Sequence, residues 1–247
     1  LHIGIYERAD ASIRDAGTRT VAAMAGQISL ESGVSVVDLG AGYGGSARYL
    51  ARHHGARVTC LNLSAVQNER NRRLTAEQGL AERISIVEGN FEELPFGHES
   101  FDVAWSQDAL LHSADRRRVL GEVARVLASG GSFVCTDPMQ AETADPALLA
   151  PVLERLNLES LASPGFYKSA AEEVGIPMRS FVDLTEHLTR HYGRVLEELE
   201  KNEHLVRSRS GDEYVDRMKR GLANWVAAGK AGALVWGIMV FEKTAAH

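Results

Sequence analysis

The run Val34-Ser35-Val36-Val37-Asp38-Leu39-Gly40-Ala41-Gly42-Tyr43-Gly44-Gly45 decides how the rest of the chain is read. Its first half is a short β-branched stretch of the kind buried inside a parallel sheet. Its second half spaces Gly40, Gly42 and Gly45 as G-x-G-x-x-G, a tight turn that lets backbone approach a ligand closely. Nicotinamide-dinucleotide enzymes share this spacing and want an Asp or Glu at the end of the second strand, for the ribose hydroxyls. Here that position reads Cys60-Leu61-Asn62-Leu63 and holds no acid, whereas Asp38 stands two residues before the first glycine.

Outward from the loop, strand and helix alternate. Residues 11–28 place Ile13, Ala16, Val21, Met24 and Ile28 on one helical stripe. Helices are predicted over 45–53 and 66–78, and strands over 57–63, 84–87 and 101–106. A helix over 115–127 is expected to stop at Gly130-Gly131, ahead of a strand over 132–136. That rhythm calls for an open parallel sheet covered on both faces. Beyond Pro138 it changes, to helical stretches at 146–160 and 168–174, a strand at 178–184, a long charged helical stretch over 185–228 and a final strand over 233–242. The chain reads as a single domain, 1–247, with its core at about 30–140 and 233–243. Helical elements at about 141–170 and 185–230 then form a lid over the carboxyl edge of the sheet, where open α/β folds keep their ligands.

Composition narrows the classes. The chain has 247 residues and a net charge of −6, an acidity that argues against nucleic acid or an anionic membrane as main partner. Its longest apolar runs, such as 231–240, are far short of the roughly 20 residues of a bilayer span. Nothing at the start reads as a signal peptide, and a start at Leu1 rather than Met suggests that some native N-terminus is missing. Cys60 and Cys135, each inside an apolar strand-like stretch, suit small buried hydrophobes in a reducing cytoplasm. The acidic run at 197–203 reads as a solvated helix face, and Arg116-Arg117-Arg118 as the exposed start of a helix. A monomer or a homodimer is expected.

After the fourth strand comes Ser106-Gln107-Asp108-Ala109-Leu110-Leu111-His112-Ser113. Asp108 and His112 are four apart, so one helical turn would put both on one face. A carboxylate there would raise the basicity of the imidazole and fix its tautomer, which suits a base that takes a proton from an ammonium or hydroxyl nucleophile. The alternative is that His112 caps or packs a short helix and Asp108 caps the turn.

The loop Asp38-Leu39-Gly40-Ala41-Gly42 is accompanied in order by Gly89-Asn90-Phe91, Leu94-Pro95-Phe96, the run from Ser100 to Trp105, and Arg125-Val126-Leu127-Ala128-Ser129-Gly130-Gly131. As a set, these resemble class I S-adenosylmethionine (SAM) methyltransferases. The resemblance implies a Rossmann-like seven-stranded sheet, SAM as cofactor and S-adenosylhomocysteine as its product. It also implies a cofactor-binding set of Asp38, Gly40, Ala41, Gly42, Asn62, Leu63, Gln67, Asn90, Phe91 and Gln107. The family usually has an acid where this chain has Asn62, and often an Asp where it has Asn90; Asn still donates and accepts hydrogen bonds. The Asp108–His112 segment is similar to that of small-molecule N-methyltransferases such as the phosphoethanolamine enzymes, which implies catalytic roles for His112, Asp108 and an N-terminal Tyr6. For Tyr6 the alternative is a packing residue.

Three further stretches resemble sarcosine/dimethylglycine N-methyltransferases: residues 61–68, Thr136-Asp137-Pro138-Met139, and Met218-Lys219-Arg220-Gly221-Leu222 through Trp225, Gly229, Gly232 and Trp236-Gly237. The implied activity is methylation of sarcosine and then N,N-dimethylglycine to glycine betaine. A product carrying a permanent positive charge suits aromatic faces, offered by Tyr167, Tyr192, Trp225 and Trp236, each of which could instead pack. The substrate carboxylate needs a cation or several donors; Arg190, His191, Lys168, Lys219, Arg220 and Lys230 are available, with His191-Tyr192 the first choice. Met139 is either a substrate contact or a core methionine. No metal is required, because a sulfonium is already an activated leaving group. The competing expectations are a C- or O-methyltransferase of a quinone, sterol or polyketide, and a SAM-binding module without catalysis.

Overall fold

The computed structural model describes residues 2–8, 10–156 and 158–244. In chain order they form α1 (Ile13–Ala25), β1 (Ser35–Leu39), α2 (Gly45–His54), β2 (Arg57–Asn62), α3 (Ala65–Glu77), β3 (Ile84–Glu88) and β4 (Phe101–Gln107). A 3-10 turn, Leu110–His112, precedes α4 (Arg116–Val126), β5 (Leu127–Thr136), β6 (Met139–Gln140), α5 (Pro146–Leu156) and α6 (Pro164–Glu173). Then come β7 (Met178–Asp183), α7 (Thr185–Lys201), α8 (Glu203–Ser210), α9 (Asp212–Lys230), β8 (Leu234–Val235) and β9 (Gly237–Glu242). Two compact units emerge: residues 21–137, 166–182 and 238–247, and residues 1–20, 138–165 and 183–237.

The first unit is built on a seven-stranded sheet of order β3-β2-β1-β4-β5-β9-β7. Strands β1 to β5 pair in parallel, and β9 runs antiparallel to β5. Its central strands carry apolar side chains on both faces because both faces are covered: Val36, Val37, Leu39, Leu61, Trp105 and Phe133 are fully buried. Helix α4 buries Val119, Leu120, Val123 and Val126 as one stripe and is capped by Asp115, whose side chain accepts from Arg118 N. In register, Asp38 lies level with Cys60 on one neighbour and Trp105 on the other, so the loop after β1 emerges between the ends of β2 and β4.

The second unit holds α7, α8 and α9 with the β6–β8 ribbon, in which Met139 pairs with Val235 and Gln140 with Leu234. On α7 the buried residues His187, Leu188, His191 and Tyr192 form one face. Tyr192 stacks on Trp225 of α9, with ring centroids 4.5 Å apart. Glu197, Glu198, Glu200 and Lys201 are exposed, as the charge run suggested. No helix among the described residues is long and apolar enough to cross a membrane.

Several local expectations are corrected. Helix α4 ends at Val126, as the expected 115–127 has it, but strand β5 begins at Leu127 rather than at 132, because the backbone turns extended there and Leu127 pairs with Phe101. Gly130 N then donates to Lys243 O, and Lys243 N to Gly131 O, so the glycines lie within strand β5. The charged stretch 185–228 is three helices, interrupted at Asn202 and at Gly211, whose φ is 84°. The last strand is split: residues 234–235 pair with β6, and the main strand begins at Gly237.

Candidate active site

The loop after β1 is closed by backbone bonds. Gly40 N and Ala41 N both donate to Leu61 O, at 2.9 and 3.1 Å, and Gly44 N donates to Ala41 O at 2.8 Å. Gly40 has φ 75°, and a Cβ there would sit 2.5 Å from Ala109 Cβ, so conformation and space both demand glycine. Gly42, at φ 52°, would meet nothing within 4 Å, which leaves its backbone open to a ligand. Asp38 is buried, its Oδ2 has no hydrogen-bond partner among the described residues, and burial pushes its pKa up to about 7. At the end of β4, Gln107 Oε1 accepts from Ser46 Oγ at 2.7 Å, while its buried Nε2 has no partner among the described residues.

These atoms, one carboxylate oxygen and one amide donor on neighbouring strands, suit an ammonium and a carboxylate such as a methionyl group carries. At the end of β2, Asn62 Nδ2 donates to Gln67 Oε1 at 3.1 Å and Asn68 Oδ1 at 3.2 Å. The next residue, Leu63, is 64% exposed, an apolar surface beside the loop's neighbour strand. Asn90 Oδ1 accepts from Glu92 N at 2.9 Å, and the Phe91 ring lies 3.8 Å from where a Gly40 Cβ would be. These residues therefore lie at the carboxyl ends of β3, β2, β1 and β4, four neighbours in the sheet.

Asp108 and His112 do not share a helical turn. Asp108 sits ahead of the 3-10 turn with φ 49°, a conformation costly for a residue with a side chain. It is held there by Asp108 N to Thr136 O at 2.8 Å and Thr136 Oγ1 to Asp108 Oδ1 at 2.9 Å. His112 ends the turn, exposed, and its pKa is lowered rather than raised, by partial desolvation and by the like charge of Arg116. The turn is tied from behind by Asp137, whose Oδ1 accepts from Leu111 N at 2.9 Å. Glu92 Oε1 accepts from Ser113 Oγ, Ala114 N and Asp115 N just beyond. Tyr167 is fully buried and donates its hydroxyl to Asp137 Oδ2 at 2.8 Å; burial raises the pKa of Asp137 to about 7. Asp137 and Glu92 were missed as site-building residues. The only signal was the acid at the strand end in Thr136-Asp137-Pro138-Met139.

In the second unit, Tyr6 and His191 meet, with the hydroxyl 2.9 Å from His191 Nδ1. Gly4 N donates to the same Nδ1 at 3.1 Å, Tyr6 N to His187 Nδ1 at 3.1 Å, and Arg190 Nη1 to Tyr6 O at 3.1 Å. Burial raises the Tyr6 pKa, offset in part by Arg194 and Arg190, and lowers that of His191 to about 4. Met139, Trp225 and Trp236 are buried, and the Trp236 backbone bonds with Thr185. Among the cations suggested for a carboxylate, Lys219 is paired with Glu203, while Lys168, Arg220 and Lys230 are exposed. No group of three or more His, Cys, Asp or Glu placed to hold a metal ion occurs among the described residues.

Comparison with known proteins agrees with this geometry. Residues 37–135 match a family described as a methyltransferase domain. A sarcosine/dimethylglycine N-methyltransferase of Aphanothece halophytica is 53% identical over 98% of this chain and 88% of its own. One of the same name from Halorhodospira halochloris is 46% identical, over 98% and 88%. A crystal structure from Galdieria sulphuraria, provisionally described as a sarcosine dimethylglycine methyltransferase, superposes with a TM-score of 0.95 at 40% identity, covering 99% of this chain and 92% of that one. Its fold is that of class I methyltransferases, and with such identity across nearly its whole length the chain belongs to the sarcosine/dimethylglycine N-methyltransferase family of SAM-dependent enzymes.

Proposed function

We propose that this enzyme methylates the nitrogen of sarcosine and then of N,N-dimethylglycine, with glycine betaine as end product. The observation that carries the reading is that likeness to the named relatives runs through nearly the whole chain, well outside the domain at 37–135 shared with other methyltransferases. In this reading the elements at 141–170 and 185–230 carry acceptor recognition through Tyr167, His191, Tyr192 and Trp225, and Met139 and Trp236, just outside those ranges, contribute side chains or packing with them.

SAM, when bound, supplies a methyl group on a positively charged sulfur, so the leaving group needs no further activation. Asp38 and Gln107 would hold its methionyl end, Gly40, Ala41 and Gly42 would let backbone reach it, and Asn62, Leu63, Gln67, Asn90 and Phe91 would take the nucleoside. The acceptor amine arrives protonated, since alkylamines of the lysine type hold their proton to about pH 10. Removal from water lowers that affinity, and a neutral base must then take the proton. His112, kept neutral near pH 7 by its lowered pKa, would accept it at a ring nitrogen. Asp108, fixed by Thr136, would orient the ammonium. Tyr6 would donate a hydrogen bond from its hydroxyl to His191 Nδ1, which accepts from Gly4 N, and so keep oxygen lone pairs for an N–H donor. Positioning nitrogen against methyl supplies most of the acceleration, up to about 7–11 kcal/mol. The buried free thiols Cys60 and Cys135 favour a reducing, cytoplasmic setting.

Incubation with methyl-labelled SAM and a panel of glycine, sarcosine, N,N-dimethylglycine, phosphoethanolamine and a quinone tests this. Label is expected in dimethylglycine and betaine; no transfer to any amine would overturn the proposal.

A further inference from the structure

Two helix residues one turn apart, His187 and His191, each take a backbone N–H from the N-terminal segment on Nδ1. A backbone N–H can only donate, so each Nδ1 must be the bare acceptor nitrogen. With one proton on a neutral imidazole, that proton sits on Nε2. At His191 the Tyr6 hydroxyl approaches the same Nδ1 and, with that nitrogen bare, is a second donor to it. His191 has no exposed surface, and its Nε2 has no hydrogen-bond partner among the described residues. A buried N–H left without an acceptor is costly and uncommon, and it calls for a ligand atom able to accept. An amino-acid acceptor brings such an atom in its carboxylate.

We propose that His191, locked as its Nε2–H tautomer by Gly4 and Tyr6, donates that hydrogen to the carboxylate of the amino-acid substrate and so selects amino acids over amines that lack the group. This deepens the proposed function and rests on it. The carboxylate is then met by a neutral donor that stays uncharged, and His191 acts in binding rather than as a base. The rival within the same unit is Arg194, whose buried Nε also lacks a partner while Nη1 pairs with Glu197.

The two amide replacements separate the ring nitrogens. In His191→Asn the amide oxygen takes the place of Nδ1 and keeps the acceptor for Gly4 and Tyr6, but the Nε2 donor is gone. In His191→Gln an amide N–H reaches the Nε2 position. With N,N-dimethylglycine and 2-(dimethylamino)ethanol as paired acceptors, His191→Asn is expected to raise the dimethylglycine KM by about 10- to 100-fold and to erase preference for it, with SAM affinity unchanged. His191→Gln is expected to restore much of the loss. A second readout is taken on the wild-type chain itself, by ¹⁵N-histidine NMR with S-adenosylhomocysteine loaded. One Nε2–H resonance, assigned by its absence in His191→Gln, should move downfield when dimethylglycine is added. An unmoved resonance, an unchanged KM and preference in His191→Asn, or a preference lost only in Arg194→Gln would each overturn the proposal. Failure of the wild-type enzyme to methylate any amine would instead overturn the function on which it rests.

Discussion

Tyr167 donates its hydroxyl to Asp137 Oδ2 at 2.8 Å, and the other oxygen of that carboxylate accepts Leu111 N–H at 2.9 Å. An aromatic side chain of α6 is thereby linked through one buried acid to the turn that ends in His112. Both oxygens are satisfied, yet burial still raises the Asp137 pKa to about 7. Tyr167→Phe leaves Oδ2 buried and unpaired. It should cost about 1–3 kcal/mol of stability in urea unfolding and lower kcat through the loosened turn. Wild-type stability and turnover in Tyr167→Phe would mean that the turn needs no such anchor.

His112→Ala should separate chemistry from cofactor binding. A general base contributes about 10²- to 10⁴-fold, so kcat should fall by an amount in that range. The SAM dissociation constant, measured by calorimetry, should hold within about threefold. Equal losses in both would make His112 a structural residue.

In the proposed function Asp38 faces the ammonium group of SAM, which would couple cofactor binding to pH. The Asp38 pKa of about 7 in the free chain lies above the ordinary 3.8, so between those values the folded protein keeps a proton that the unfolded chain has given up. The stability contributed by that proton is full below about pH 4 and lost as pH rises through about 7. An ammonium group facing Asp38 needs the ionised form, so SAM affinity should climb with pH up to about 7. Binding at pH 6 should release a proton, visible as a dependence of binding heat on the ionisation enthalpy of the buffer. Asp38→Asn should remove that dependence and weaken binding by about 10- to 100-fold.

His191 couples pH to stability with the opposite sign. Its folded pKa of about 4 lies below the ordinary 6.5, so the unfolded chain binds the proton more readily. The contribution is complete above about pH 6.5 and is lost as pH falls toward 4, at about 1.4 kcal/mol per unit. Between pH 6.5 and 5, His191→Asn should therefore lose about 2 kcal/mol less than wild type. Parallel pH profiles for the two proteins would contradict this.

Gly40→Ala combines a φ of 75° with a Cβ placed 2.5 Å from Ala109 Cβ. Left-handed strain and overpacking together should cost about 2–4 kcal/mol in thermal or urea unfolding. Adding Ala109→Gly should recover only the packing part, because the backbone angle is untouched.

Much of this was legible in local pattern. The β-branched run ending in Asp38, the glycine loop and the polar segment after β4 each depend on neighbours close in sequence, and the structure has them where that pattern put them. The failures share a cause. The start of β5 at Leu127 instead of 132 followed from Leu127 pairing with Phe101, a partner no local signal names. The shared face expected for Asp108 and His112 gave way because Asp108 bonds to Thr136, 28 residues along the chain, which pulls it out of the helical path.

By itself the sequence determined the alternation of strand and helix, the place of the glycine loop and the family, since periodicity and the need for glycine are properties of short stretches. Only the tertiary structure decided which polar atoms end unpartnered and which tautomer a histidine holds. Hydrogen-bond satisfaction is settled between distant residues: the donor that fixes His191 is Gly4, 187 residues away.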